Sequence, residues 1–85
     1  MTRQDVLQAI QAEGLVSYSM FEERADASDE MAVKEEAGRW LVYATGERGC
    51  PVSGSEAWFD TEEEALSNFL RRLRALNRVI KSRLE

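Results

Sequence analysis

The sequence contains no histidine, one cysteine and one proline in 85 residues. Without histidine the chain lacks the usual general base near neutral pH, any Cys–His or Ser–His pair, and the commonest transition-metal ligand. Cys50 alone can form neither an intrachain disulfide nor a zinc site, and a reducing compartment suits it. Beside Pro51 in a loop, it reads as an inert thiol. The five glycines, at 14, 38, 46, 49 and 54, form no phosphate-cradling GxxxxGK or GxGxxG run. Carboxylate pairs occur, but none sits in an apolar setting that would raise a pKa for acid–base work. No apolar run approaches the roughly 20 residues that cross a bilayer. The start, Met1-Thr2-Arg3-Gln4-Asp5, turns polar at once and carries no secretory pattern. These absences predict a cytoplasmic protein that is not an enzyme, with no cofactor, no metal and no membrane attachment.

What is present suffices for one small core. The apolar fraction is 44%, with two Trp, two Tyr and three Phe, and residues 1–85 read as a single domain. Charge is divided sharply along the chain. Residues 71–85 hold six basic groups (Arg71, Arg72, Arg74, Arg78, Lys81, Arg83) against Glu85, a net +5. The other seventy residues hold five basic and fifteen acidic groups, a net −10, and the whole chain carries −5. An acidic body of this kind attracts cationic partners and repels nucleic acid and anionic membrane.

The spacing predicts a helix over Thr2–Glu13, capped by Thr2 with Asp5, apolar at Val6, Leu7 and Ile10, and stopped by Gly14. Leu15–Phe21 alternates as a half-buried strand, with Val16, Tyr18 and Met20 on one face. A polar connector, 22–29, leads to a weaker strand, Glu30–Glu35, that buries Met31 and Val33. Glu36-Ala37-Gly38 makes a tight turn into the best strand, Arg39–Thr45, with Trp40, Val42 and Ala44 on one face and Leu41 and Tyr43 on the other. A last strand covers Ser53–Phe59. Asp60 or Thr61 then caps a long helix to about Arg83, with an apolar stripe of Leu66, Phe69, Leu70, Leu73, Leu76 and Ile80. The expected fold is α+β, in the order α-β-β-β-β-α. Its sheet is a four-stranded antiparallel meander, with the short N-terminal and long C-terminal helices packed on one face.

Two charged segments are candidate binding surfaces. Glu22, Glu23, Asp26, Asp29, Glu30, Glu35 and Glu36 place seven acids against Arg24 and Lys34 within fifteen residues, a net −5. They form either a solvated connector or a patch that steers a basic partner. The basic run of the last helix is accounted for by the helix dipole and by Arg stems flanking an apolar stripe. Contact with nucleic acid or with the chain's own acidic loop is the alternative. Trp58 and Tyr43 read as core or sheet-face residues.

Trp40-Leu41-Val42-Tyr43, Glu47-Arg48-Gly49, Phe59-Asp60-Thr61-Glu62-Glu63-Glu64-Ala65-Leu66, Phe69-Leu70 and Leu73-Arg74 together resemble a family of small bacterial immunity proteins. These neutralise polymorphic or contact-dependent toxins. The resemblance covers residues 40–74, about half of the chain. Gly46 stands where the family often carries an acid. The resemblance implies a non-catalytic inhibitor of a cognate protein toxin, one with a basic surface if, as for many such toxins, it is a cationic nuclease. The resemblance transfers no contact residues; on the charge pattern, blockade would be steric and electrostatic, through Glu22–Glu36 and the Glu47-Arg48 turn. Glu47 and Arg48 read equally as a structural pair pinning that turn. A regulatory module touching nucleic acid through the last helix is a second reading, and a homodimer using the exposed sheet face is a third.

Overall fold

The computed structural model describes residues 1–22 and 27–84. The first helix, α1 (Arg3–Glu13), starts where the sequence predicts. The Asp5 N–H donates to Thr2 Oγ1 (3.2 Å) and the Thr2 N–H donates to Asp5 Oδ2 (2.9 Å), which closes the capping box. Gly14, at φ 63°, ends the helix in the left-handed region.

The first strand, β1 (Tyr18–Met20), is shorter than the alternation suggests. Ser17 (φ 64°) and Phe21 (φ 56°) are left-handed and cut it at both ends. Val16 therefore leaves the ladder and is 50% exposed, while Tyr18 and Met20 pack on the core. The second and third strands, β2 (Met31–Glu36) and β3 (Arg39–Ala44), pair as an antiparallel hairpin. Its two-residue loop, Ala37-Gly38, has positive φ at both positions (54° and 78°), the twist that a right-handed hairpin requires. A short 3₁₀ turn, Glu47–Gly49, follows. The fourth strand, β4 (Ala57–Phe59), pairs antiparallel with β3. Residues 53–56 fall outside β4, because the chain turns at Gly54 (φ 84°) and the Ser55 hydroxyl donates to the Val52 carbonyl (2.6 Å).

The sheet order is β1-β2-β3-β4, but the expected all-antiparallel meander fails at one edge. β1 runs parallel to β2, with Tyr18 opposite Met31 and Met20 opposite Val33. The reason is the connection. Ten residues, 21–30, separate the two strands, and β2 begins beside the start of β1 rather than beside its end. A hairpin needs no such length, whereas parallel strands require a returning crossover.

The second helix, α2 (Glu62–Leu84), lies across β2, β3 and β4. The Glu64 N–H donates to Thr61 Oγ1 (3.3 Å) and the Thr61 hydroxyl donates to Glu64 Oε1 (3.0 Å), so Thr61 is the cap. Ala65, Leu66, Phe69, Leu70 and Leu73 are buried against Val6, Ile10, Met31, Val33 and Val42, and this is the main core. Leu76 packs at its margin. The opposite sheet face carries a second buried cluster of Ala32, Leu41 and Tyr43. Trp58, opposite Leu41 in the register, is 40% exposed on that face. The Arg39 guanidinium lies 5.6 Å from the centre of its ring.

Candidate functional site

The acidic segment does not form one patch. Asp29 and Glu30 stand just before β2, while Glu35 and Glu36 close its other end, about 17 Å away at 3.3 Å per residue. Glu36 pairs with Lys34 (3.6 Å). Glu22 lies elsewhere again, in a groove with Arg3, Leu7, Tyr18, Met20 and Phe21. Glu23 and Asp26 lie outside the described residues.

Asp29 and Glu30 instead meet Glu47 around a cleft of about 610 Å³ at one end of the sheet. Its described lining combines apolar side chains with Ser17 and Thr45. Met31 and Ala44 come from the strands, and Leu76, Val79 and Ile80 come from the last turns of α2. Arg83 is the one cation in the lining among the described residues. Val79 is 48% exposed, so the apolar part of the lining is open to solvent.

Backbone hydrogen bonds hold the acidic lip in place. The Asp29 N–H donates to the Gly46 carbonyl (3.2 Å), and Asp29 itself is left-handed at φ 56°. Buried Thr45 makes the rest of the tie. Its hydroxyl donates to the Ala27 carbonyl (2.7 Å) and accepts from the Glu30 N–H (2.8 Å). Its own N–H donates to the Glu30 carbonyl (2.8 Å). Glu47 enters on the 3₁₀ turn, which is closed by Gly46 N–H to Cys50 O (2.8 Å) and Gly49 N–H to Gly46 O (3.2 Å). Glu47 and Arg48 are both exposed and, among the described residues, form no ion pair with each other, so the backbone rather than this pair pins the turn. Arg48 sits at φ 65° and does not line the cleft. Cys50 is exposed on the same turn.

The basic run of α2 divides in two. Arg74 pairs with Glu13 of α1 (2.6 Å) rather than with the acidic loop. The half-buried Arg72 donates to the carbonyls of Ser55 (2.7 Å) and Val42 (3.5 Å). Both cations are thus committed to the fold. Arg71, Arg78, Lys81 and Arg83 are exposed.

Shifted titrations are spread along the contact of α1 with α2, with the Arg3–Glu62 pair near its start and the Arg74–Glu13 pair in the same half of α2 as the cleft. The Arg74 hydrogen bond holds the Glu13 carboxyl below its ordinary 4.5, and the same contact raises Arg74. Arg3, with a smaller contribution from the Trp40 indole N–H, does the same to Glu62. The Thr2 backbone N–H lowers Asp5. Burial, then the neighbouring Arg71 charge, lowers Arg72. Each of these shifts has its cause in a capping bond, an ion pair or burial within the fold. Among the described residues no three His, Cys, Asp or Glu side chains converge on a metal position. None of the described helices is long and apolar enough to cross a membrane.

Sequence reasoning finds the acids and the apolar Met31, Leu76 and Ile80, but not that they meet in one cleft, and it misses Val79 and the neighbouring Asn77. Asn77 is buried within the apolar stripe. Its Oδ1 accepts from the Val16 N–H (2.9 Å), and its Nδ2 donates to the Val16 and Leu73 carbonyls (3.1 and 2.9 Å). The available signal is its spacing, four residues after Leu73 and three before Ile80. Val79 stands off the centre of the stripe, beside Leu76, and only the protrusion of α2 past the strands gives it a role. Comparison with protein-family models, with curated proteins and with solved structures finds no match to this chain.

Proposed function

We propose that this chain is an immunity protein. It binds a cognate protein toxin with a basic surface in the cytoplasm and blocks it by occupancy, with no bond made or broken. The observation that carries this reading is the cleft lined by Asp29, Glu30 and Glu47 around Leu76, Val79 and Ile80. The exposed carboxylates of Asp29 and Glu47 favour a basic partner, and the net charge of −5 steers its approach. The apolar part of the lining supplies the area that a rim of charge alone does not. Backbone ties across the lip reduce the ordering cost of binding.

The test mixes the purified chain with the toxin encoded by the neighbouring gene at equimolar ratio. Toxin activity falls to background, and added salt slows association. Unchanged toxin activity would sink the reading. Nucleic-acid contact through α2 predicts instead a salt-sensitive gel shift. The internal engagement of Arg72 and Arg74 leaves that reading a reduced set of cations.

A further inference from the structure

Beyond its sign, the cleft has a shape that bears on what enters it. Leu76, Val79, Ile80 and Arg83 follow the i, i+3, i+4, i+7 spacing of one helix face. Such a row is the ridge against which another helix packs. An extended strand finds much less here. The Met31 N–H is taken by the Ser17 carbonyl (3.0 Å), the Thr45 N–H by Glu30, and the Asp29 N–H by Gly46. Few strand-pairing donors remain at this rim. We propose that the cleft receives a cationic amphipathic helix of the partner protein, its apolar face on Leu76, Val79 and Ile80 and its Lys or Arg side chains on Asp29 and Glu47. This inference rests on the toxin-binding reading and names the element of the toxin that is captured. Helix-in-groove docking of this kind draws affinity from the apolar anchors and orientation from the charges. Arg83 adds one charge of opposite sign, so a partner helix carrying an acid at the matching position is favoured over a uniformly basic one.

The experiment titrates the full chain into a fluorescein-labelled amphipathic Leu/Lys helix. A Leu/Glu helix and a scrambled Leu/Lys peptide serve as controls, and hydrogen exchange maps the contact. The Leu/Lys helix binds and protects amides within 44–47 and 76–83. The Leu/Glu helix does not bind. Val79→Asp removes binding without moving the melting temperature, since Val79 is half exposed. Asp29→Lys with Glu47→Lys weakens binding about tenfold, and Arg83→Glu strengthens it. Equal binding of the scrambled peptide, indifference to the double charge reversal, or protection elsewhere overturns the proposal. So does self-association of the wild-type chain that Val79→Asp abolishes, because the occupant is then a second copy. Variants that lose the peptide yet still neutralise toxin overturn this proposal and leave the immunity reading standing. Peptide binding as described, with no neutralisation by the wild type, removes the immunity reading and keeps the cleft's preference for a basic helix.

Discussion

The two halves of α2 share a period but not a fate. In the first half Ala65, Leu66, Phe69, Leu70 and Leu73 are all buried under the sheet. In the second, Leu76 and Ile80 are half-buried and Val79 is 48% exposed. At 1.5 Å per residue the 23-residue helix is about 34 Å long, far longer than any of the strands it crosses. Partly exposed apolar side chains contribute less to folding than buried ones. The first half supplies most of the buried apolar area, and the second leaves part of its apolar face open to solvent. Asn77 stands at the boundary and ties the helix to Val16 in the segment between α1 and β1.

The largest effect should come from charging the buried half. Leu73→Asp places a carboxylate where no solvent reaches, and its cost exceeds the stability of a domain this size. Circular dichroism should show an unfolded chain at 25 °C, and a native-like melt would refute the division of α2. At the boundary, Asn77→Ala leaves the Val16 N–H and carbonyl without their side-chain partner. It should cost about 1–3 kcal/mol by urea denaturation. Away from the helix, Ala37→Asn should raise stability by about 0.5–1 kcal/mol, because Asn tolerates the φ of 54° that Ala adopts at a cost.

The α1–α2 pairs predict a pH dependence in a defined window. Glu13 and Glu62 are held below their ordinary 4.5, and Asp5 below 3.8. The unfolded chain then binds more protons than the native one in acid. Their contribution is complete above about pH 4.5 and is lost as pH falls through the lowered native values. The melting temperature should be flat in this respect at neutral pH and decline in acid, and Glu62→Gln should shrink that decline. The smallest change belongs to the exposed half. Val79→Asp should alter stability by no more than about 0.5 kcal/mol, measured by thermal melt. A large loss there would place the second half of α2 in the core after all.

Both helix caps, the β2–β3 hairpin and the apolar stripe are legible because each is a local signal. Thr2 with Asp5 and Thr61 with Glu64 sit three residues apart, and Ala37-Gly38 joins two strands without intervening length. The direction of β1 is a long-range property. Residues 15–21 alternate equally well in either orientation, and only the ten-residue return to Met31 separates the two. Alternation also misplaces Val16, because a left-handed Ser17 resets the face that follows it. The acids of the cleft are legible as a charged segment, but not their partition. Asp29 joins Glu47 and Val79, 18 and 50 positions away, while Glu35, close in sequence, goes to the far end of β2.

One consequence follows from where the sole thiol sits. Cys50 is exposed, three positions past Glu47, on a turn closed by its own carbonyl. A polarity-sensitive dye attached there by maleimide chemistry needs no engineered cysteine and no removal of competing ones. Such a conjugate would report arrivals at the rim in real time, turning the native sequence into its own sensor.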